Sequence, residues 1–213
     1  FITMNYDGLK DDIMTMLSDG MVYVNTDTFQ NDFVSISSKD EALTALIHLG
    51  YLGYNIDEKN AFVPNFEVKK AYQAALCTSG WSKVADSISR CDELLQATIN
   101  GDSEKVAELI EKAHDAYTSI LKYNDENSLS CVLSMAYFTA PAYYNVVREM
   151  PAGKGFADFV FIPRLNAGER PAMIIELKYN QSAYSAIRQI KEKRYHGVLK
   201  DYSGKVLLVG INH

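Results

Sequence analysis

The chain lacks the residues that would mark a covalently or metal-stapled framework. Cysteine occurs only at Cys77, Cys91 and Cys131. An odd number at wide spacing fits neither zinc ligation nor a disulfide scaffold, and reduced core thiols of a cytoplasmic protein are expected instead. The four histidines form no ligand motif, and His48, within Leu46-Ile47-His48-Leu49, reads as a packed helix residue. No apolar run approaches the roughly 18 residues that cross a bilayer, and no signal-peptide pattern opens the chain, so no membrane partner is expected. No G-x-x-x-x-G-K-[ST] loop occurs, which excludes ATP binding of the P-loop kind on this sequence. Positive charge is also short. A net charge of −6 argues against a general nucleic-acid coat, because phosphate backbones reward Lys and Arg.

What remains is an ordinary globular composition, 47% apolar and 23% charged, with no repeat or low-complexity tract. A length of 213 residues leaves room for two small domains. The small polar residues Thr78-Ser79-Gly80 separate two helical patterns and place a boundary there, giving domains 1–78 and 79–213.

The first domain reads as mostly helical. Leu9, Ile13, Met16 and Leu17 share a helical stripe, as do Ala42, Leu43, Leu46, Ile47 and Leu49. A hairpin over residues 51–64, turning at Asp57-Glu58-Lys59-Asn60, comes after them. Helix, helix, hairpin is the order of a winged helix. The acidic residues Asp7, Asp11, Asp12, Asp19, Asp57 and Glu58 favour a packing or lid role over DNA binding. A helix is expected from Phe66 to before Thr78, then one from Trp81 to Ile99 with Val84, Ile88, Cys91, Leu94, Leu95 and Thr98 on one stripe. Another is capped by Ser103, and a further apolar helix covers Ser128 to Ala140.

The chemistry concentrates downstream. Phe159-Val160-Phe161-Ile162 reads as a strand, Pro163 to Arg170 as a turn, and Ala172 to Tyr179 as the returning strand. Folding this hairpin about Ala167 sets Asp158 opposite Glu176. Period-2 alternation puts Glu176 and Lys178 on the same face. Two carboxylates on adjacent strands suit a Mg²⁺-type cation, and a neighbouring lysine can orient an attacking water or stabilise charge on a phosphate. An ordinary cross-strand Lys/Glu pair on a surface hairpin is the structural alternative.

Ser182 is placed to cap a helix over residues 183–195, and Lys205 to Ile211 reads as an apolar strand buried on both sides. A strand, helix, strand crossover makes this last pairing parallel. Tyr143 to Glu149 reads as an upstream strand. The order is helix, three antiparallel strands, helix, strand. Arg188, Lys191, Lys193, Arg194 and Lys200 gather positive charge on the helix beside the proposed site, either as a substrate track or as a solvated face.

These stretches resemble the PD-(D/E)XK nuclease superfamily, with its restriction-endonuclease-like αβββαβ core, and more closely the bacterial proteins in which such a domain follows an AAA-like ATPase. The matching segments are Tyr123-Asn124-Asp125-Glu126-Asn127, Gly153-Lys154-Gly155-Phe156-Ala157-Asp158, Ile174-Ile175-Glu176-Leu177-Lys178, and residues 189–195. The resemblance implies a metal-dependent nuclease. In it, Asp158, Glu176 and the Leu177 carbonyl hold Mg²⁺ or Mn²⁺, Lys178 assists the attacking water, Glu126 on the preceding helix completes the site, and Gln189 and Tyr195 are auxiliary. Position 157 is Ala where the superfamily's name has proline, and Glu149 competes with Glu126 as the extra carboxylate. In the first part, residues 28–32, 45–52 and 62–65 resemble the region C-terminal to the ATPase core in the same proteins. The chain opens on Phe1 and reads as an excised piece, with the ATP site expected on a preceding ATPase domain. Implied partners are nucleic acid, DNA above all, that ATPase domain, and a second copy in a homo-oligomer. A catalytically silent nucleic-acid-binding or protein-interaction module and a purely structural dimerisation domain are the alternatives.

Overall fold

The computed structural model describes residues 4, 6–29, 33–78, 82–118, 126–152, 155–178, 182–193, 199 and 202–212. The chain forms two compact units, Phe1–Ser89 with Ala113–Lys122, and Arg90–Lys112 with Tyr123–His213. No described helix is long and apolar enough to cross a membrane.

In the first unit, α1 (Leu9–Leu17) buries Leu9, Ile13, Met16 and Leu17, the stripe that the sequence spacing defines. A short strand β1 (Val22–Tyr23) and a 3-10 turn (Thr26–Thr28) lead to α2 (Lys39–His48). The start of α2 is fixed reciprocally: Ser38 Oγ accepts from Glu41 N, while Glu41 Oε2 accepts from Ser37 N at 2.7 Å. The hairpin strands β2 (Gly53–Asn55) and β3 (Asn60–Phe62) come next. β1 joins them as a third strand in the order β1-β3-β2, which a two-residue strand gives no sequence pattern to foresee. His48 departs from the expectation of a packed residue. It ends α2, is exposed, and rests its ring 5.3 Å from that of Phe29. Helices α3 (Phe66–Thr78) and α4 (Ser82–Ser89) close this stretch.

The helix expected from Trp81 to Ile99 is two. α4 stops at Ser89 and α5 (Cys91–Asn100) starts after Arg90, whose φ of −97° and ψ of 0° leave the helix. Val84 and Ile88 are buried in one unit, Cys91, Leu94 and Leu95 in the other. The apolar stripe therefore runs across the break and hides it from periodicity. Helix α6 (Ser103–Thr118) has residues in both units. Asp102, rather than Ser103, caps it by accepting from Lys105 N at 3.0 Å.

The second unit is built on helix α7 (Glu126–Ala136), strands β4 (Tyr144–Ala152), β5 (Gly155–Pro163) and β6 (Ala172–Lys178), helix α8 (Ala183–Glu192) and strand β7 (Val206–Asn212). The sheet order is β4-β5-β6-β7, with β4/β5 and β5/β6 antiparallel and β6/β7 parallel. This is the αβββαβ succession expected. On one face Tyr137 and Tyr144 set their rings edge-on to Phe161, and the Tyr137 hydroxyl lies 2.7 Å from Thr98 Oγ1. The other core patch joins Val160, Ala172 and Ile174 of the sheet to Ile190 of α8 and Leu199. Ser182 caps α8 by accepting from Ser185 N. β7 corrects the reading of a strand buried on both sides: it is an edge strand whose residues from Val206 to Gly210 are half-buried. Its continuous apolar run reflects α8 packed on it and an apolar cleft beside it.

Candidate active site

The β5/β6 ladder pairs Phe159↔Ile175, Val160↔Ile174 and Phe161↔Met173. Extended by one step, this register sets Asp158 against Glu176. At that step the ladder ends and a side chain takes over: Asp158 Oδ2 accepts the Leu177 N–H at 2.7 Å. Ala172 N donates across to Lys205 O of the β7 side. Alternation along β6 therefore turns the N–H and C=O of Leu177 toward β5. The strands thus part like a fork, with two carboxylates and the Leu177 peptide group at its throat.

Glu176 lies deepest, at 2% exposure. Its Oε1 accepts from Lys178 Nζ at 3.3 Å and from Gln189 Nε2. Its Oε2 is buried with no hydrogen-bond partner among the described residues. Burial, then the negative charge of Asp158, pushes the Glu176 carboxyl up to about 7, against the opposing pull of Lys178 and Lys193. An orphaned buried carboxylate oxygen is costly in a folded chain, and a proton, a water or a cation can satisfy it.

The donor set fits a hard divalent ion. Among the described residues no group of three or more His, Cys, Asp or Glu gathers as a metal cluster. Mg²⁺ needs only one or two carboxylates, completing its shell with waters, substrate oxygens or a carbonyl such as that of Leu177. Lys178, with a side chain 15% exposed, is held by Glu176 at the same place.

Of the residues singled out in the sequence, Asp158, Glu176, Leu177, Lys178 and Gln189 are brought together. Glu126 opens α7, but its side chain lies outside the described residues, and Tyr195 lies outside them altogether. Arg194 and Lys200 of the basic track do too, while Arg188 is exposed and pairs with Glu192 at 3.6 Å. Glu149 occupies the β4 position between the pairs Arg148↔Phe159 and Met150↔Ala157, opposite Asp158. It is exposed there, with φ of +48°. Lys193 is the residue sequence reasoning did not separate from the general basic helix. It stands four positions after Gln189, one helical turn along the same face, and that spacing was the available signal.

Comparison with known families bears on this geometry. Residues 124–213 match the family model of the PD-(D/E)XK nuclease superfamily. The matched segment opens just before α7 and runs through β7, so it contains the whole αβββαβ succession and the fork. No curated protein and no solved structure matches the chain. The match covers residues 124–213 of the second unit, and the part of the chain before residue 124, α5 and α6 included, lies outside it.

Proposed function

We propose that the second unit is a metal-dependent nuclease that hydrolyses phosphodiester bonds in nucleic acid, DNA above all. The observation that carries the reading is the buried Oε2 of Glu176, without a hydrogen-bond partner among the described residues, beside Asp158 and Lys178, within a segment matched to a nuclease superfamily. Asp158, Glu176 and the Leu177 carbonyl would hold Mg²⁺ or Mn²⁺. When bound, the ion would supply Lewis acidity toward a phosphate oxygen and lower the pKa of a coordinated water.

The remaining work falls to the chain. Gln189 and Lys178 both grip Glu176 Oε1, which restrains the carboxylate and would leave Oε2 available to the cation. Lys178 Nζ has further donors to orient a water or to meet charge growing on the phosphoryl oxygens. Asp158 is locked by the Leu177 amide, so its position does not depend on substrate. Glu126 is assigned to assist metal or water, and Tyr195 to an auxiliary contact, from the resemblance alone. Coupling to an ATPase domain and homo-oligomer formation rest on the same footing, and the 1–78/79–213 functional division rests on the small polar stretch Thr78-Ser79-Gly80. The order helix, strand, helix, hairpin in the first unit is compatible with the winged-helix reading.

The test is calorimetric titration of Mn²⁺ into wild-type and Glu176→Ala protein, with cleavage of labelled single- and double-stranded DNA alongside. The proposal expects one site lost in the variant, and cleavage reduced by at least about 100-fold in Asp158→Asn and Lys178→Met. Cleavage that survives these changes would refute the assignment. DNA binding with neither metal uptake nor cleavage would favour the silent binding module.

A further inference from the structure

The two edges of the second unit's sheet are treated differently. Edge strand β4 carries Arg148, then Glu149 in a left-handed conformation at φ +48°, then Pro151. Charge, a kink and a proline are the devices that keep a strand edge from pairing. Edge strand β7 reads Val206-Leu207-Leu208-Val209-Gly210-Ile211-Asn212 and carries none of them.

The Ala172 N–H donates to the Lys205 carbonyl at 2.9 Å. In a parallel ladder the two backbone groups of a residue face one side, and successive residues alternate. Leu207, Val209 and Ile211 therefore address β6, while Val206, Leu208 and Gly210 turn their N–H and C=O outward. Among the described residues no strand pairs with that outer side.

A cavity of about 670 Å³ lies there, lined by β7 continuously from Leu207 to Asn212. Six consecutive strand residues of both facings can line one cavity only if it runs along the backbone edge. Val106 and Ile110 of α6 form one wall and Ile187 of α8 the other. The result is a slot bounded by two apolar walls and a row of backbone hydrogen-bonding groups. Its charged lining residue is Glu111, exposed on α6. The neighbouring Lys105 and Lys112 are engaged by Glu93 and Glu108 instead.

We propose that this slot is a docking site for an extended peptide strand, apolar at alternate positions and carrying a basic residue that meets Glu111. The strand adds to the sheet beside β7. Backbone groups supply the hydrogen bonds, the α8 wall takes the apolar side chains, and the alternate side chains, the basic residue among them, face the α6 wall, where Glu111 selects the charge. A second copy of β7 fits less well, because it arrives between two helical walls of its own, and paired strands lie only about 4.8 Å apart. The inference is independent of catalysis at the fork and stands whether or not the protein cuts nucleic acid.

The test is residue-resolved amide exchange on the whole chain. The probe is a capped peptide, Lys-Val-Thr-Val-Thr-Val-Lys, and the control is the same peptide with Glu at both ends. Exchange at Leu208 and Gly210 is expected to slow by at least about tenfold with the lysine peptide. Val209, already bonded to β6, should change less. The glutamate peptide should bind about fivefold more weakly, and Glu111→Lys should reverse the preference. Ala107→Trp, at an exposed lining position of α6, should abolish the protection while leaving thermal unfolding near wild type. Perturbation of the slot without slowing of the outward amides would mark a site for small apolar ligands and overturn the proposal. Concentration-dependent protection without peptide would assign the slot to a second copy and overturn it too, as would no response at millimolar peptide.

Discussion

Replacing Glu176 by Gln should make the metal-free protein more stable at alkaline pH, at the expense of the activity proposed for it. The Glu176 carboxyl is displaced from 4.5 to about 7 by burial and by Asp158, so between those values the folded chain holds a proton that the unfolded chain has released. Stability contributed by that proton is complete below about 4.5 and is lost as pH rises through about 7. The displacement corresponds to roughly 3 kcal/mol, an upper figure for a group with an ion-paired neighbour. Glutamine keeps the shape and removes the charge, and its neighbour Gln189 can turn its amide to match. In EDTA, Glu176→Gln is expected to exceed wild type by about 2 kcal/mol at pH 8 and to approach it at pH 4.5. Amide exchange of β6 reads the second unit without interference from the first. Mn²⁺ at pH 8 should then raise the stability of wild type alone. A stability difference that does not change between pH 4.5 and 8, or a variant less stable than wild type at pH 8, would refute the reasoning.

Other perturbations have equally definite outcomes. Gln189→Leu removes a donor to Glu176 Oε1 and should weaken Mn²⁺ binding by about 10- to 100-fold, measured by calorimetry, with little change in thermal stability. Gly210→Ala should destabilise the second unit by about 1–3 kcal/mol, because a Cβ there would run into the Ala183 carbonyl. Urea unfolding checks it. Thr98→Val leaves the buried Tyr137 hydroxyl without its 2.7 Å partner and should cost about 1–3 kcal/mol. The double change with Tyr137→Phe should recover most of that loss.

Legibility in the sequence tracks the range of the forces involved. The β5/β6 register is readable because a turn of fixed span and a period of two leave one pairing that buries Phe159, Phe161 and Ile175 together on one face while aligning Asp158 with Glu176. α1, α2 and the Ser182 cap are readable for the same local reasons. The break at Arg90 is hidden because Val84, Ile88, Cys91 and Leu95 keep helical spacing across it, although the residues on either side are buried in different cores. The edge position of β7 is hidden because Leu207 to Ile211 reads identically whether a strand is covered by protein or borders a cleft. At the fork, residue types identify the carboxylates and the lysine. That Asp158 takes the Leu177 amide in place of a ladder bond is a tertiary fact with no sequence signature.

Helix α6 has a consequence for how this chain is made. Its residues up to Lys112 belong to one compact unit and those from Ala113 to the other, so the units interleave along the chain. During synthesis the first unit cannot be completed when residue 89 leaves the ribosome; it waits for residues 113–122, by which time the opening helices of the second unit have also emerged. No single cut yields both units whole. A fragment beginning at Arg90 would carry an orphaned stretch of its neighbour, and one ending at Ser89 would lack its last ten residues.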